Sequence, residues 1–243
     1  MPQAASHRPP PRPQPQPARG PVGGFLQALS SLLLTLVAGL LIAIAIQCAG
    51  IHLWWPDEGQ AHVRTMLETE LGYLEGARTS LIAADPMAFA ERAADVAHTW
   101  LWQKTGADRL VAWIAAAPPA DASVLRTSLH ALADELAVTI LTTQVFAVRL
   151  AVLILALPVF ALFGFVGAVD GLVERDLRRW AGGRESSYLF HIAVRLLSPA
   201  ILLCWLLYLT VPVALPPAVV VLPFAALFAI ALRIALASFK KYV

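Results

Sequence analysis

Long apolar runs alternate with polar stretches along this chain, and the alternation sets its plan. Apolar runs fill Phe25–Ile46, Leu150–Val169 and Ile192–Val211, and a fourth begins at Leu215. At ~1.5 Å of rise per residue, each run is about long enough to cross a hydrocarbon core of ~30 Å. The pattern predicts an all-α integral membrane protein. It has four transmembrane helices, at residues 25–47, 145–169, 192–211 and 215–238, plus a small helical periplasmic domain (52–144) between the first and second. Residues 1–24 read as a Pro-rich tail and 170–191 as a polar loop between spans.

The tail holds eight prolines, no acid and little to bury. Such a composition predicts an extended, disordered segment. Its arginines, Arg8, Arg12 and Arg19, either meet a cytoplasmic partner or only orient the first span. The run after it exceeds the 7–15 residues of a signal-peptide core and lacks a clear cleavage site, so it reads as an uncleaved anchor. Trp54 and Trp55 follow as interfacial aromatics.

Residues 56–144 form the one large polar region. Helical signals recur in it: Asp85-Pro86 is a cap followed by proline at the first helical position. Asp121 is a second cap after Pro118-Pro119. Leu125, Leu129, Leu132 and Leu136 make an apolar stripe that continues through Val138 and Leu141 into the next span. Trp100, Trp102 and Trp113 read as fillers of a helical core or as contacts to lipid headgroups. In the second span Pro158 predicts a kink. Arg149 is expected at its outer end, snorkelling to water. Gly167 and Gly171 carry the spacing of close helix contact, although partly beyond the lipid.

Composition agrees with this plan: 58% of residues are hydrophobic, 14% are charged, and the mean hydropathy is +0.68. Soluble domains run near 45–50% apolar and 25% charged. The formal charge of +2 gives no argument for nucleic acid, but its distribution orients the chain. Residues 56–144 hold twelve acids and six bases, while Arg175, Arg178, Arg179, Arg184 and Arg195 crowd the segment after the second span. Counting Lys and Arg in short loops places that segment in the cytoplasm of a bacterial inner membrane, with both termini, and residues 56–144 outside. Glu174 and Arg178 stand four apart in the favourable helical order, so helix should continue to Trp180 and stop at Gly182-Gly183. Ser186 or Ser187 would cap the next helix.

Candidate chemistry is sparse. The two cysteines, Cys48 and Cys204, sit in or beside apolar runs, and neither they nor the histidines have metal spacing. No metal or cofactor is expected. No ionisable residue falls near the middle of a span, where such groups are costly and mark function. Ser186 and Ser187 beside His191 read as helix caps rather than as a nucleophile and base. The residues assigned to docking a partner are Arg175, Arg178, Arg179, Arg184, Tyr188 and His191.

The stretch RDLRRWAGGRESSYLFHIAVRLLSPAILLCWLLYLTVP, with its Arg-rich helix end, its Gly-Gly-Arg-Glu-Ser-Ser-Tyr turn, His191 and Pro199, carries a resemblance. It is similar to the integrating conjugative element membrane proteins of bacteria, a family built around a domain of unknown function. The likeness covers roughly the last hundred residues; the first span and outer region agree only in layout. It implies a non-enzymatic membrane component beside the type IV secretion and coupling machinery that exports DNA in conjugation. No catalytic residue is implied. The expected partners are the lipid bilayer, other membrane proteins of that machinery and a second copy of the chain, without direct nucleic-acid binding. The alternatives are a membrane-bound sensor, a transporter or an intramembrane enzyme.

Overall fold

The computed structural model describes residues 21–76, 80–117, 124–130, 132–181 and 187–239. The regular elements among them are helical. They are α1 (Pro21–Leu53), α2 (Gln60–Glu75), α3 (Pro86–His98), α4 (Ala107–Ala115), α5 (Val124–His130), α6 (Ala133–Leu155), α7 (Leu157–Ala181), α8 (Ser187–Thr210) and α9 (Pro217–Ala237), with a π-helical turn at Thr99–Gln103 after α3. Among the described residues, four segments are long and apolar enough to cross a membrane: Leu29–Leu53, Ala133–Ala181, Tyr188–Thr210 and Pro217–Ala237. The chain divides into two units, residues 1–37 and 38–243. The first contributes the opening turns of α1, where Thr35 returns its hydroxyl to the Ser31 carbonyl. Helix already covers residues 21–24, which the composition assigns to the tail, and the rest of the tail lies outside the described residues.

In the second unit α2 and α3 pack on α6, while α7 and α8 pack on α9. Ile51, Val63, Met66, Val138 and Val145 form a core, with Leu141 and Ala214 against it. This core joins the end of α1, α2, the first half of α6 and the turn between α8 and α9. The second half of the leucine stripe reaches it through Val138 and Leu141, but Leu125 and Leu132 are exposed. Helix α5 ends at His130 and α6 starts at Ala133, so the interruption breaks the helical register. Asp85 caps α3, its Oδ1 accepting from the Ala88 N–H at 3.0 Å. Asp121, Pro118 and Pro119 lie outside the described residues. Gly106 turns into α4 at φ 74°, a left-handed conformation that costs glycine nothing. Arg126 of α5 then closes α4, donating to the carbonyls of Ile114, Trp113 and Ala116 and lying over the Trp113 ring. Trp100 and Trp113 are exposed and so fill no core.

The proline at 158 separates α6 from α7 at Ala156. It has no N–H to return to Ile154, so the ladder opens there. Beyond the break, α7 runs beside α9 in the same direction: Gly164 lies against Phe228, Gly167 against Ala229 and Gly171 against Arg233. A Cβ on Gly171 would stand 2.5 Å from the Arg233 carbonyl oxygen, and one on Gly167 would overlap that of Ala229. The glycine spacing therefore sets a backbone-to-backbone contact, stronger than its place in the sequence suggests. Helix α7 stays helical through Ala181, in line with the helix expected to continue to Trp180.

Alanine at Gly167 or Gly171 should force α7 from α9 and lower stability by about 1–3 kcal/mol. Gly72, whose Cβ would meet nothing within 4 Å, should accept alanine without loss. Thermal unfolding of the three variants in detergent checks this; equal midpoints would refute the close-contact account.

Candidate functional site

Two groups of charged side chains stand at opposite ends of the α7–α9 bundle. The first is built on Arg149. It is the lone charge between Leu136 and Val169 and sits on the face of α6 that α2 covers. On α2, Val63, Met66, Glu70 and Leu74 recur at helical spacing and are all buried, so Glu70 occupies a core position. The Arg149 and Glu70 side chains are 1% and 0% exposed, with Nη2 2.8 Å from Oε1. Nε donates to the same oxygen at 3.0 Å. The other carboxylate oxygen accepts the Tyr208 hydroxyl at 2.8 Å. Arg149 also donates to the carbonyls of Val211 at 2.5 Å and Val213 at 2.6 Å. These carbonyls follow the end of α8, where helix backbone lacks donors and the dipole favours a cation. The guanidinium thus holds α2, α6 and the α8–α9 turn together. Arg149 is therefore buried on its partners rather than snorkelling to water.

Beside this cluster His62 makes a second tie to the same turn. Its ring stacks on Trp55 at 3.9 Å, with one nitrogen 3.0 Å from Glu58 and the other 3.1 Å from the Pro212 carbonyl. His52, His98 and His130 likewise have partners, in Glu135, Asp108 and the Ile114 carbonyl. Among the described residues no group of three His, Cys, Asp or Glu side chains could hold a metal, and both cysteines are free.

The second group lies where α7 and α9 end. Glu174 takes Arg178 at 3.1 Å and Arg233 of α9 at 3.2 Å, and Arg233 also reaches Asp170 at 2.8 Å. Two acids and two bases balance, and they continue the glycine face of α7 that meets α9. Of the residues assigned to docking, Arg178 is therefore engaged within the chain. Arg175 lies 5.6 Å over the Phe239 ring, which touches Phe190, and Phe190 meets His191 edge-on. Arg175 and His191 are thus brought to one aromatic cluster. Arg179 is exposed and 4.0 Å from Asp176; Tyr188 is 74% exposed. Arg184 and Ser186 lie outside the described residues.

Sequence reading missed the Glu70–Arg149–Tyr208 cluster, although a signal existed. Glu70 interrupts a buried stripe, and Arg149 interrupts an uncharged run. Two opposite charges at positions where apolar residues belong point to each other.

Among the described residues, four helices are long and apolar enough to cross a membrane, and they point to a multi-pass membrane protein. The chain belongs to the DtrJ-like family: the family model described as IncC plasmid conjugative DNA transfer protein DtrJ-like matches residues 54–240. The match takes in the polar helical region as well as the last three spans, more than the resemblance from Asp170 onward covers. It agrees with that resemblance in assigning a conjugative-element protein. No curated protein and no solved structure matches the chain.

Removing one partner of a buried pair leaves an uncompensated charge, at a cost of about 3–5 kcal/mol. Glu70→Leu and Arg149→Met should each destabilise the protein by that order, and the double variant by clearly less than their sum. Arg149→Lys should not restore stability, because a point charge cannot serve three acceptors in a fixed fork. A double-mutant cycle by detergent unfolding measures the coupling; additive losses would refute the clamp.

Proposed function

We propose that this protein is a non-enzymatic inner-membrane component of a conjugative element, supporting the type IV secretion and coupling apparatus during DNA transfer. In this reading residues 56–144 face the periplasm, and both termini lie in the cytoplasm. Its partners are the bilayer and other membrane proteins of the machinery, a second copy of the chain included, with no direct contact to DNA. The observation that carries it is the family match, which spans the polar helical region and three apolar helices together.

The side chains support a scaffold rather than a catalyst. Both oxygens of Glu70 and the Tyr208 hydroxyl are engaged in one closed cluster. Acid–base chemistry there would first have to open the contact that holds α2 to the α8–α9 turn. Docking on the cytoplasmic side falls to the start of α8, where Tyr188 and His191 are exposed, and to Arg184 before it. Arg178, paired with Glu174, is a poor candidate for this role.

Replacing Tyr188 and His191 together by Ala should leave membrane insertion intact and lower conjugative transfer about tenfold or more, equivalent to ~1.4 kcal/mol of lost contact. Mating assays beside carbonate extraction check this. Unchanged transfer by a normally inserted variant would remove this surface from the mechanism.

A further inference from the structure

The exposed side of α7 carries information that the docking assignment does not use. Phe160, Gly164, Gly167 and Gly171 are buried, and Glu174 and Arg178 continue that face towards α9. On the opposite face Leu162, Val166, Val169, Val173, Leu177 and Trp180 follow one another at steps of three or four residues, and all are exposed. The lipid-facing stripe of the span therefore does not stop at Asp170. It continues for about three more turns, with exposed Asp176 and Arg179 at its edge, and ends on Trp180, which is 92% exposed.

The level of α9 agrees. Arg233, beside Asp170 and Glu174, is followed by another turn of helix to Ala237, and α9 from Pro217 to Ala237 has just enough length for one crossing. The Asp170–Arg233 pair thus lies about one turn inside the end of α9, and the membrane surface falls near Arg175, Arg179 and Trp180. Tryptophan at such a level is an interfacial anchor.

The bases at this level differ in what they can still bind. Arg178 and Arg233 are neutralised by Glu174 and Asp170. Arg175 lies 5.6 Å over the Phe239 ring and makes no ion pair among the described residues, so its guanidinium retains donors for a further partner. Arg179 is exposed, with Asp176 at the limit of ion-pair range. Two guanidiniums one turn apart on α7, the second next to an exposed tryptophan, fit a phosphodiester headgroup.

We propose that Arg175, Arg179 and Trp180 form a binding collar for anionic phospholipid at the end of α7. This rests on the membrane-spanning reading and deepens it by naming the lipid class. It divides the roles of adjoining surfaces that meet at Phe239: the end of α7 holds lipid, and Tyr188 and His191 at the start of α8 are left to protein partners.

The full-length protein is reconstituted in bilayers containing either brominated phosphatidylglycerol or brominated phosphatidylcholine. The quenching due to Trp180 is taken as the difference from Trp180→Phe. Phosphatidylglycerol should quench with roughly tenfold or greater preference, near fivefold per base. The preference should fall to near unity in Arg175→Gln/Arg179→Gln and return in Arg175→Lys/Arg179→Lys, since lysine keeps the charge. Equal quenching by the two lipids would overturn the collar. So would equal quenching combined with lost DNA transfer in the Gln variant, which would give these bases to a protein partner. Absent quenching in protein that resists carbonate extraction overturns the collar alone; release by carbonate overturns the membrane reading with it.

Discussion

A charge of either sign buried in an apolar interior is tolerated only when its opposite stands beside it and the remaining donors and acceptors are satisfied. Arg149 and Glu70 meet that condition, and much of the structure follows from how they do so. Arg149 comes from a long apolar helix and Glu70 from a polar one, so neither can be buried unless α2 lies across α6. The guanidinium has more donors than one carboxylate can use. The surplus goes to the carbonyls after α8, and this fixes the turn that leads into α9. Tyr208 closes the last carboxylate oxygen. One pair thereby fixes the register between the polar helical region and two apolar helices. Non-directional packing at Val63, Met66 and Val145 would not select that register alone.

At the other end the same physics takes a looser form. Asp170, Glu174, Arg178 and Arg233 are 31–54% exposed, so these pairs are screened and hold less tightly than the buried one. Here backbone contact does more of the work. Gly167 and Gly171 let α7 approach the main chain of α9, and the ions then fix how far one helix slides along the other. The pairing also explains why an acid-containing segment can belong to a span. Asp170 and Glu174 face Arg233 on the neighbouring helix, while Val173 and Leu177 keep much of the exposed side apolar.

The spans were legible because apolar length is a one-dimensional property. The break at Pro158, the cap at Asp85 and the Glu174–Arg178 pair were legible because each depends on residues within four positions. What depended on distant residues was not. Arg149 looked like a boundary arginine because its partners lie 79 residues before it and more than 60 after it. The leucine stripe failed at Leu125 and Leu132 because periodicity does not reveal where a helix stops and restarts. The docking arginines looked equivalent in the sequence. Only the position of α9 distinguishes Arg178, held by Glu174, from Arg179, which stands in the open.

The account as a whole requires the two ends of this bundle to face opposite sides of the membrane. Single cysteines at Gln60 and at Arg184, each in a chain whose Cys48 and Cys204 are replaced by Ala, test that requirement most directly. The account predicts that an impermeant maleimide labels Gln60→Cys in intact spheroplasts and labels Arg184→Cys only after the membrane is permeabilised. Labelling of both in intact cells, or the reverse pattern, would contradict it.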